Sequence, residues 1–254
     1  MNPDTVAVLL DLNREFYQKF AAAFAATRRR IQPGVRHILE SLSPAGSWLD
    51  LGCGSGALAA AFARAPASNR ASYTGMDFSA ELLDEARRAL DGIDRQRVSI
   101  TFELADLSHP GWIRSFPPHS FDGVFAFAVL HHLPGVELRN SLLRQVHALL
   151  RPKGLFYFSV WQFQHSPRLM SRCVAWKSIG LKPTAVDAGD TLIDWRFALP
   201  HQAGETGLRY VHLFNHAELD LLAHDNGFES VDSFESDGEG GRLGLYQVWR
   251  AVGE

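Results

Sequence analysis

The chain has 254 residues and a mass of 28.2 kDa, with 46% hydrophobic and 21% charged residues, a globular composition that excludes a disordered, collagen-like or coiled-coil protein. At this length folding removes about three quarters of the extended chain's surface from water, so a large core forms without staples. A net charge of −3 and a pI near 6.4 argue against a constitutive non-specific nucleic-acid binder, and two cysteines, Cys53 and Cys173, make no disulfide framework and point to a reducing cytoplasm.

No apolar run approaches the ~18 residues of a membrane span. The opening MNPDTVAVLLDLNREF lacks the basic start and the small-residue cleavage site of a signal peptide. Charge is uneven: residues 151–182 hold six Lys/Arg and no Asp/Glu, and residues 216–254 hold nine Asp/Glu against two Arg. Screening acts over about 8 Å at cellular salt, so a local basic face can work on a weakly acidic protein.

Residues 5–27 place Leu9, Leu12, Phe16, Phe20 and Phe24 at steps of three and four, the spacing of an amphipathic helix. A second helix starts near Pro33, a residue suited to a first helical turn. A strand is predicted at 47–51, a helix at 58–64, a strand at 71–76 and a helix at 79–90 with Ser79 as its N-cap. Strands follow at 97–104, where Val98, Ile100 and Phe102 alternate, and at 121–130, nearly all apolar from Val124 on. A helix at 136–150 is closed by Arg151-Pro152-Lys153-Gly154 and leads into a strand at 155–160. Residues 161–208 show no clear period and read as an insertion or cap. Residues 209–214 look extended, and a helix at 215–226 has Asn215 as cap and Gly227 as stop. Strands at 228–234 and 243–249 are joined by the hairpin loop 237–241.

Alternating strands and helices predict an α/β fold with a doubly wound, mostly parallel seven-stranded sheet that ends in an antiparallel hairpin. The reading is one domain in four parts: an N-terminal helical segment (1–45), a cofactor-binding core (46–160), a cap (161–215) and a closing helix and hairpin (216–254).

The strongest motif is Asp50-Leu51-Gly52-Cys53-Gly54-Ser55-Gly56, set between a strand and a helix. Glycines let a ligand lie against bare main chain beside a helix N-terminus. No Gly-Lys-Ser/Thr follows, which excludes a phosphate loop. The spacing is G-x-G-x-G rather than G-x-G-x-x-G, and the carboxylate of Asp50 disfavours a pyrophosphate. It suits a ligand with an ammonium and a sulfonium, the chemistry of S-adenosylmethionine. Asp77 ends the next strand, where a carboxylate can accept from both ribose hydroxyls. Asp106, after the third strand, can accept from an adenine amino group. Met76 and Phe78 flank Asp77, and either can pack on a purine or in the core. Cys53 reads as a small packing residue of the loop.

DLGCGSG, GMDFS, ADL, FDGVFAFAVLHHL and LLRPKGLFYFSVW resemble, in order, the motifs of class I S-adenosylmethionine-dependent methyltransferases, a Rossmann-like fold. The resemblance covers residues 45–161 and the closing hairpin. It implies that Asp50 and the glycines hold the methionine moiety, Asp77 the ribose and Asp106 the adenine. The cofactor-binding set is then Asp50, Gly52, Cys53, Gly54, Gly56, Asp77, Phe78, Asp106, Leu107 and Ala128.

The flanks resemble one branch, the tRNA methyltransferases that esterify 5-carboxymethyluridine at the wobble position. The segments are Tyr17-x-x-Phe20-Ala21-x-x-Phe24-x-x-Thr27-Arg28, Val160-Trp161 with Gln164, residues 189–195, and residues 209–214 with Glu218-Leu219. The chain departs from that branch at Asp194, where proline is usual, and near Pro33, where Ile31 or Gln32 stands in place of the usual tryptophan. The resemblance implies that His131 and His132 lie at the active site and that Arg28 lies near the acceptor. Eukaryotic members of the branch work with a small zinc-binding subunit.

The chemistry gives its own candidates. An in-line displacement at a sulfonium needs orientation and desolvation. A carboxylate acceptor needs a cation rather than a base, and Arg28 and Arg209 can grip one with paired hydrogen bonds. An amine or phenol acceptor calls for a base, and His131 or His132 would serve. Arg28-Arg29-Arg30 also reads as a solvated helix end, and Arg209 as a structural ion pair. His212 and His216 have helical metal-ligand spacing, but their segment reads as extended and lacks a third ligand, so no metal is expected. Three functions follow: a tRNA-modifying methyltransferase, a small-molecule methyltransferase with residues 1–45 and 161–215 as a lid, and a cofactor-binding subunit that works through a partner.

Overall fold

Short apolar strands punctuated by glycines, each followed by a helix with one apolar face, can bury those faces only by layering helices on both sides of a sheet. The computed structural model describes residues 1–27, 30–42, 45–64, 71–94, 98–197 and 205–253. Its elements are α1 (Pro3–Thr27), α2 (Pro33–Ser41), β1 (Gly46–Leu51), α3 (Ala57–Arg64), β2 (Ala71–Asp77), α4 (Ala80–Arg88), β3 (Val98–Leu104), β4 (Phe121–Phe127), α5 (Val136–Leu149), β5 (Leu150–Trp161), α6 (Pro167–Met170), β6 (Cys173–Val174), β7 (Asp190–Phe197), β8 (Glu205–His212), α7 (His216–Asp225), β9 (Phe228–Ser236) and β10 (Gly244–Ala251).

The seven-stranded sheet runs β3-β2-β1-β4-β5-β10-β9. Its first five strands are parallel, and β10 lies antiparallel between β5 and β9. Strand order reverses between β1 and β4, so a crevice opens there at the carboxyl ends of the strands. Val124, Phe125 and Ala126 of β4 are fully buried, as a strand covered on both faces requires. Trp48 stacks on Phe125 at 5.1 Å on one face, and Phe158 meets Trp249 at 4.6 Å on the other. The predicted caps form: the Ser79 hydroxyl accepts from the Leu82 amide at 3.2 Å, and Asn215 Oδ1 accepts from the Glu218 amide at 2.9 Å.

Three of the differences from the sequence reading bear on the site. The strand expected to reach 130 ends at Phe127, because Ala128 turns to φ +58 and residues 130–132 form a 3₁₀ turn. The helix expected to reach 150 ends at Leu149, and β5 begins at Leu150, its turn residues absorbed by a register shift against β4 between Phe121 and Gly123.

The cap is the third difference. It holds an antiparallel sheet, β6-β7-β8. Leu192 and Tyr210 pack against Leu9 of α1, while Ile193 and Val211 pack with Phe163. Both faces are covered, so the apolar/polar alternation that marks a half-buried strand is missing. Helix α1 lies over β8, where a side chain in place of Gly207 would strike the rings of Phe16 and Phe20. Among the described residues no helix is long and apolar enough to cross a membrane.

Candidate active site

The loop between β1 and α3 sits at the switch point. Gly54 has φ +53, and a Cβ there would meet nothing within 4 Å, so its bare main chain faces open space. Gly56 has φ +75, and a Cβ there would lie 2.8 Å from the Cα of Ala86. Gly54 therefore floors the cavity, while Gly56 lets α4 approach the loop and does not line the cavity.

The cavity has a volume of about 260 Å³. Asp50, Gly52, Cys53, Gly54, Asp77, Phe78, Asp106, Leu107, Ala128 and His132 all reach its wall, as the sequence reading places them. Met76 does not; it is buried in the core.

The three acids differ in state. Asp50 is 3% exposed, and burial pushes its carboxyl up from an ordinary 3.8 to about 7, although the Tyr73 hydroxyl donates to it. Burial also raises Asp77, which accepts from the Gly54 amide at 2.9 Å and the Ser79 amide at 3.0 Å. Asp106 is half-buried; burial raises it, but hydrogen bonds from Ser108 and Arg14 outweigh that and hold it below the usual carboxylate range. Arg14 Nη2 lies 2.8 Å from Asp106 Oδ2.

The other side of the cavity is built by the turn after β4. The left-handed Ala128 is held by its amide, which donates to the Ser159 carbonyl and hydroxyl, both at 3.1 Å. This turn aims His132 inward. Its Nδ1 lies 3.1 Å from the Tyr210 carbonyl, and its Nε2 lies 2.8 Å from the Tyr17 hydroxyl. A carbonyl only accepts, so Nδ1 carries a proton. His131 is fully buried behind the cavity: its ring stacks on Trp161 at 5.2 Å, and its Nδ1 accepts from the Trp161 amide at 3.3 Å.

Arg209 is placed differently from the sequence reading. It is 3% exposed, with its guanidinium 4.9 Å from the Phe16 ring and 4.7 Å from the Trp161 ring, and it does not line the cavity. Arg28 lies outside the described residues. Arg30 does line the cavity, next to Ile31 and Gln32.

Asn13 and Arg14 of α1 were not singled out by the sequence reading, and Tyr17 entered only through the resemblance. Leu10, Asn13, Arg14 and Tyr17 share one face of α1 at helical spacing and all line the cavity.

The donor set fits S-adenosylmethionine. Asp50 is a buried carboxylate that an ammonium group would restore to its charged form. Asp77 ends β2 and Asp106 follows the neighbouring β3, and Phe78 and Leu107, next to them in the chain, line the same cavity, where they can flank a purine.

The profile of the methyltransferase-domain family matches residues 3–233. The tRNA (carboxymethyluridine(34)-5-O)-methyltransferase ALKBH8 of Macaca fascicularis is 31% identical over 152 residues, 59% of this chain and 20% of that protein. The chain thus spans about a fifth of the length of this curated relative. A methyltransferase of Encephalitozoon cuniculi is 28% identical over 220 residues, 85% of this chain and 87% of that one. Among solved structures, an S-adenosylmethionine-dependent methyltransferase from Methanosarcina mazei shares the fold with a TM-score of 0.63 at 23% identity, covering 89% of this chain and 100% of that one. A complex between the Haloferax volcanii Trm112 methyltransferase activator and a methyltransferase matches with a TM-score of 0.63 at 18% identity, over 96% and 98% of the two chains.

Proposed function

The chain belongs to the methyltransferase-domain family as an S-adenosylmethionine-dependent enzyme, and we propose that its acceptor is the carboxylate of a 5-carboxymethyluridine in tRNA. One observation carries the reading: a single cavity wall joins Tyr17 and Trp161, rings on which a pyrimidine can stack, to Arg30, a cation that can hold an anion. The similarity to ALKBH8, a tRNA (carboxymethyluridine(34)-5-O)-methyltransferase, supports the same acceptor.

The cofactor supplies a methyl group on a sulfonium. The residues supply the rest. Asp50, Asp77 and Asp106 hold the donor, and helix α1 excludes water. A carboxylate is ionised at neutral pH, so no proton need leave it. Arg30 orients it, and Arg28 remains the candidate named by resemblance. Esterification removes the negative charge, which weakens the grip of the guanidinium and favours release.

The basic run divides in the fold. Arg151 pairs with Asp122 at the start of β5, the end remote from Trp161. Arg168, Arg172, Lys177 and Lys182 lie in the cap, where they can meet a phosphate backbone. A small activating subunit of the kind in the Haloferax volcanii complex belongs in the assay. The test is transfer of labelled methyl to tRNA that lacks the ester, with and without the activator, followed by mild alkali. Alkali-labile label supports the reading; alkali-stable label counts against it.

A second reading rests on His132. With a proton held on Nδ1, its Nε2 is an acceptor, the form of a general base for an O–H or N–H nucleophile. It requires a small molecule to be methylated with no tRNA present.

A further inference from the structure

Asp190, Tyr210 and His212 of the cap and Glu218 of α7 do not reach the cavity. They converge behind it with Arg139 of α5, which is 1% exposed. Arg139 donates from Nη2 to the Tyr210 hydroxyl at 3.1 Å, from Nη1 to Glu218 Oε1 at 3.2 Å and from Nε to the Leu133 carbonyl at 3.0 Å. Tyr210 donates its hydroxyl to Asp190 Oδ1 at 2.7 Å. His212 sets Nδ1 2.6 Å from Asp190 Oδ1 and Nε2 2.9 Å from Glu218 Oε1. A ring with a carboxylate at each nitrogen donates from both, so His212 is an imidazolium. Two cations balance two anions, with Arg139, His212 and Asp190 out of water and Glu218 partly exposed, and pairing of this kind is the condition on which buried charge is tolerated.

Tyr210 carries this cluster to the acceptor side. Its carbonyl faces His132 Nδ1 at 3.1 Å, and its amide donates to Asn13 Oδ1 at 2.8 Å. Asn13 Nδ2 lies 3.2 Å from the carbonyls of both Tyr210 and His132. Arg139 grips the same turn at Leu133, the residue after His132. The cluster therefore fixes both ends of the contact that sets the His132 tautomer.

We propose that Tyr210 is a positioning residue for methyl transfer, held by the Arg139–Asp190–His212–Glu218 cluster, so that protonation of His212 governs the orientation of His132. This rests on the placement of His132 at the acceptor and goes beyond it, because none of the cluster side chains lines the cavity. Burial lowers the His212 pKa, and the hydrogen bonds to Asp190 and Glu218 outweigh that, leaving it above the ordinary value. A raised histidine supports the cluster below its unfolded pKa, and that support is lost as pH rises through the folded one. Asp190 and Glu218 then face Arg139 alone.

The experiment is ¹⁵N NMR of the histidine rings in the full wild-type chain, titrated between about pH 6 and 9. We expect His132 as the Nδ1–H tautomer, His212 doubly protonated at the acid end, and the His132 signals to change as His212 titrates. Tyr210→Phe keeps the ring and removes both hydroxyl bonds. Its kcat should fall about 10- to 100-fold, the scale of lost hydrogen bonds to charged groups, with cofactor Kd unchanged. In the wild type kcat should fall as pH rises through the His212 titration, and His212→Gln should give a low kcat that no longer shows that fall. Variants that lose only melting temperature, with His132 and kcat unmoved, overturn the proposal. So does a wild-type titration in which His212 deprotonates and His132 does not respond, a result available even where a variant fails to fold. The titration needs no acceptor. The expected coupling without transfer to tRNA therefore counts against the acceptor alone.

Discussion

The Tyr17 hydroxyl lies 2.8 Å from His132 Nε2, so the imidazole nitrogen at the cavity is covered by helix α1. Any acceptor that approaches His132 meets Tyr17 as well. Tyr17→Phe keeps the ring, which meets Phe78 edge-on at 6.0 Å, and removes the hydroxyl. The expected result is a loss of about tenfold in kcat/KM for the acceptor, one hydrogen bond's worth. Cofactor affinity measured by calorimetry should not move.

Asp50 makes cofactor binding depend on pH. Its carboxyl, raised to about 7 by burial, is largely neutral in the free protein below that pH. A ligand ammonium needs the carboxylate, so affinity should rise as pH increases through about 7, with a proton released on binding. Calorimetry in two buffers of different ionisation enthalpy checks it. Asp50→Asn should bind about 10- to 100-fold more weakly, with the pH dependence gone. The sign for folding is opposite: the folded value lies above the unfolded 3.8, so Asp50 stabilises the free fold most below 3.8 and loses that contribution as pH rises to about 7.

Arg14 joins α1 to Asp106 across a partly exposed ion pair, with side chains 39% and 38% accessible. Exposed pairs contribute at most about 1 kcal/mol, so Arg14→Ala should barely change the melting temperature. It should speed cofactor release severalfold in stopped-flow, because the helix that covers the cavity loses its tie to the adenine side. An unchanged release rate would show that α1 closes the cavity without Arg14.

Gly56→Ala separates packing from binding. The substitution forces φ +75 on an L-residue and a Cβ onto the Ala86 backbone at 2.8 Å. A loss of about 3 kcal/mol, near 10 °C in Tm, is expected in thermal unfolding.

The features legible in the sequence are those that local backbone rules dictate. The glycines of 52–56, Asp77 and Asp106 sit at strand ends because a parallel sheet puts its crevice there, and the caps Ser79 and Asn215 are local hydrogen bonds. Arg14 and Asn13 were not legible as site residues, because which face of α1 meets the crevice depends on how the cap is placed. Arg209 was a candidate acceptor clamp because a guanidinium can grip a carboxylate with paired hydrogen bonds; its guanidinium instead lies against Phe16 and Trp161. The role of His212 was not legible, because its ring nitrogens face Asp190 and Glu218, partners that lie in other elements of the fold.

The most direct measurement is nucleoside mass spectrometry of tRNA bearing 5-carboxymethyluridine after incubation with the protein and S-adenosylmethionine. The account predicts that the wobble nucleoside gains one methyl as its carboxylate ester. Methyl on any other nucleoside, or unmodified tRNA beside a methylated small molecule, would contradict it.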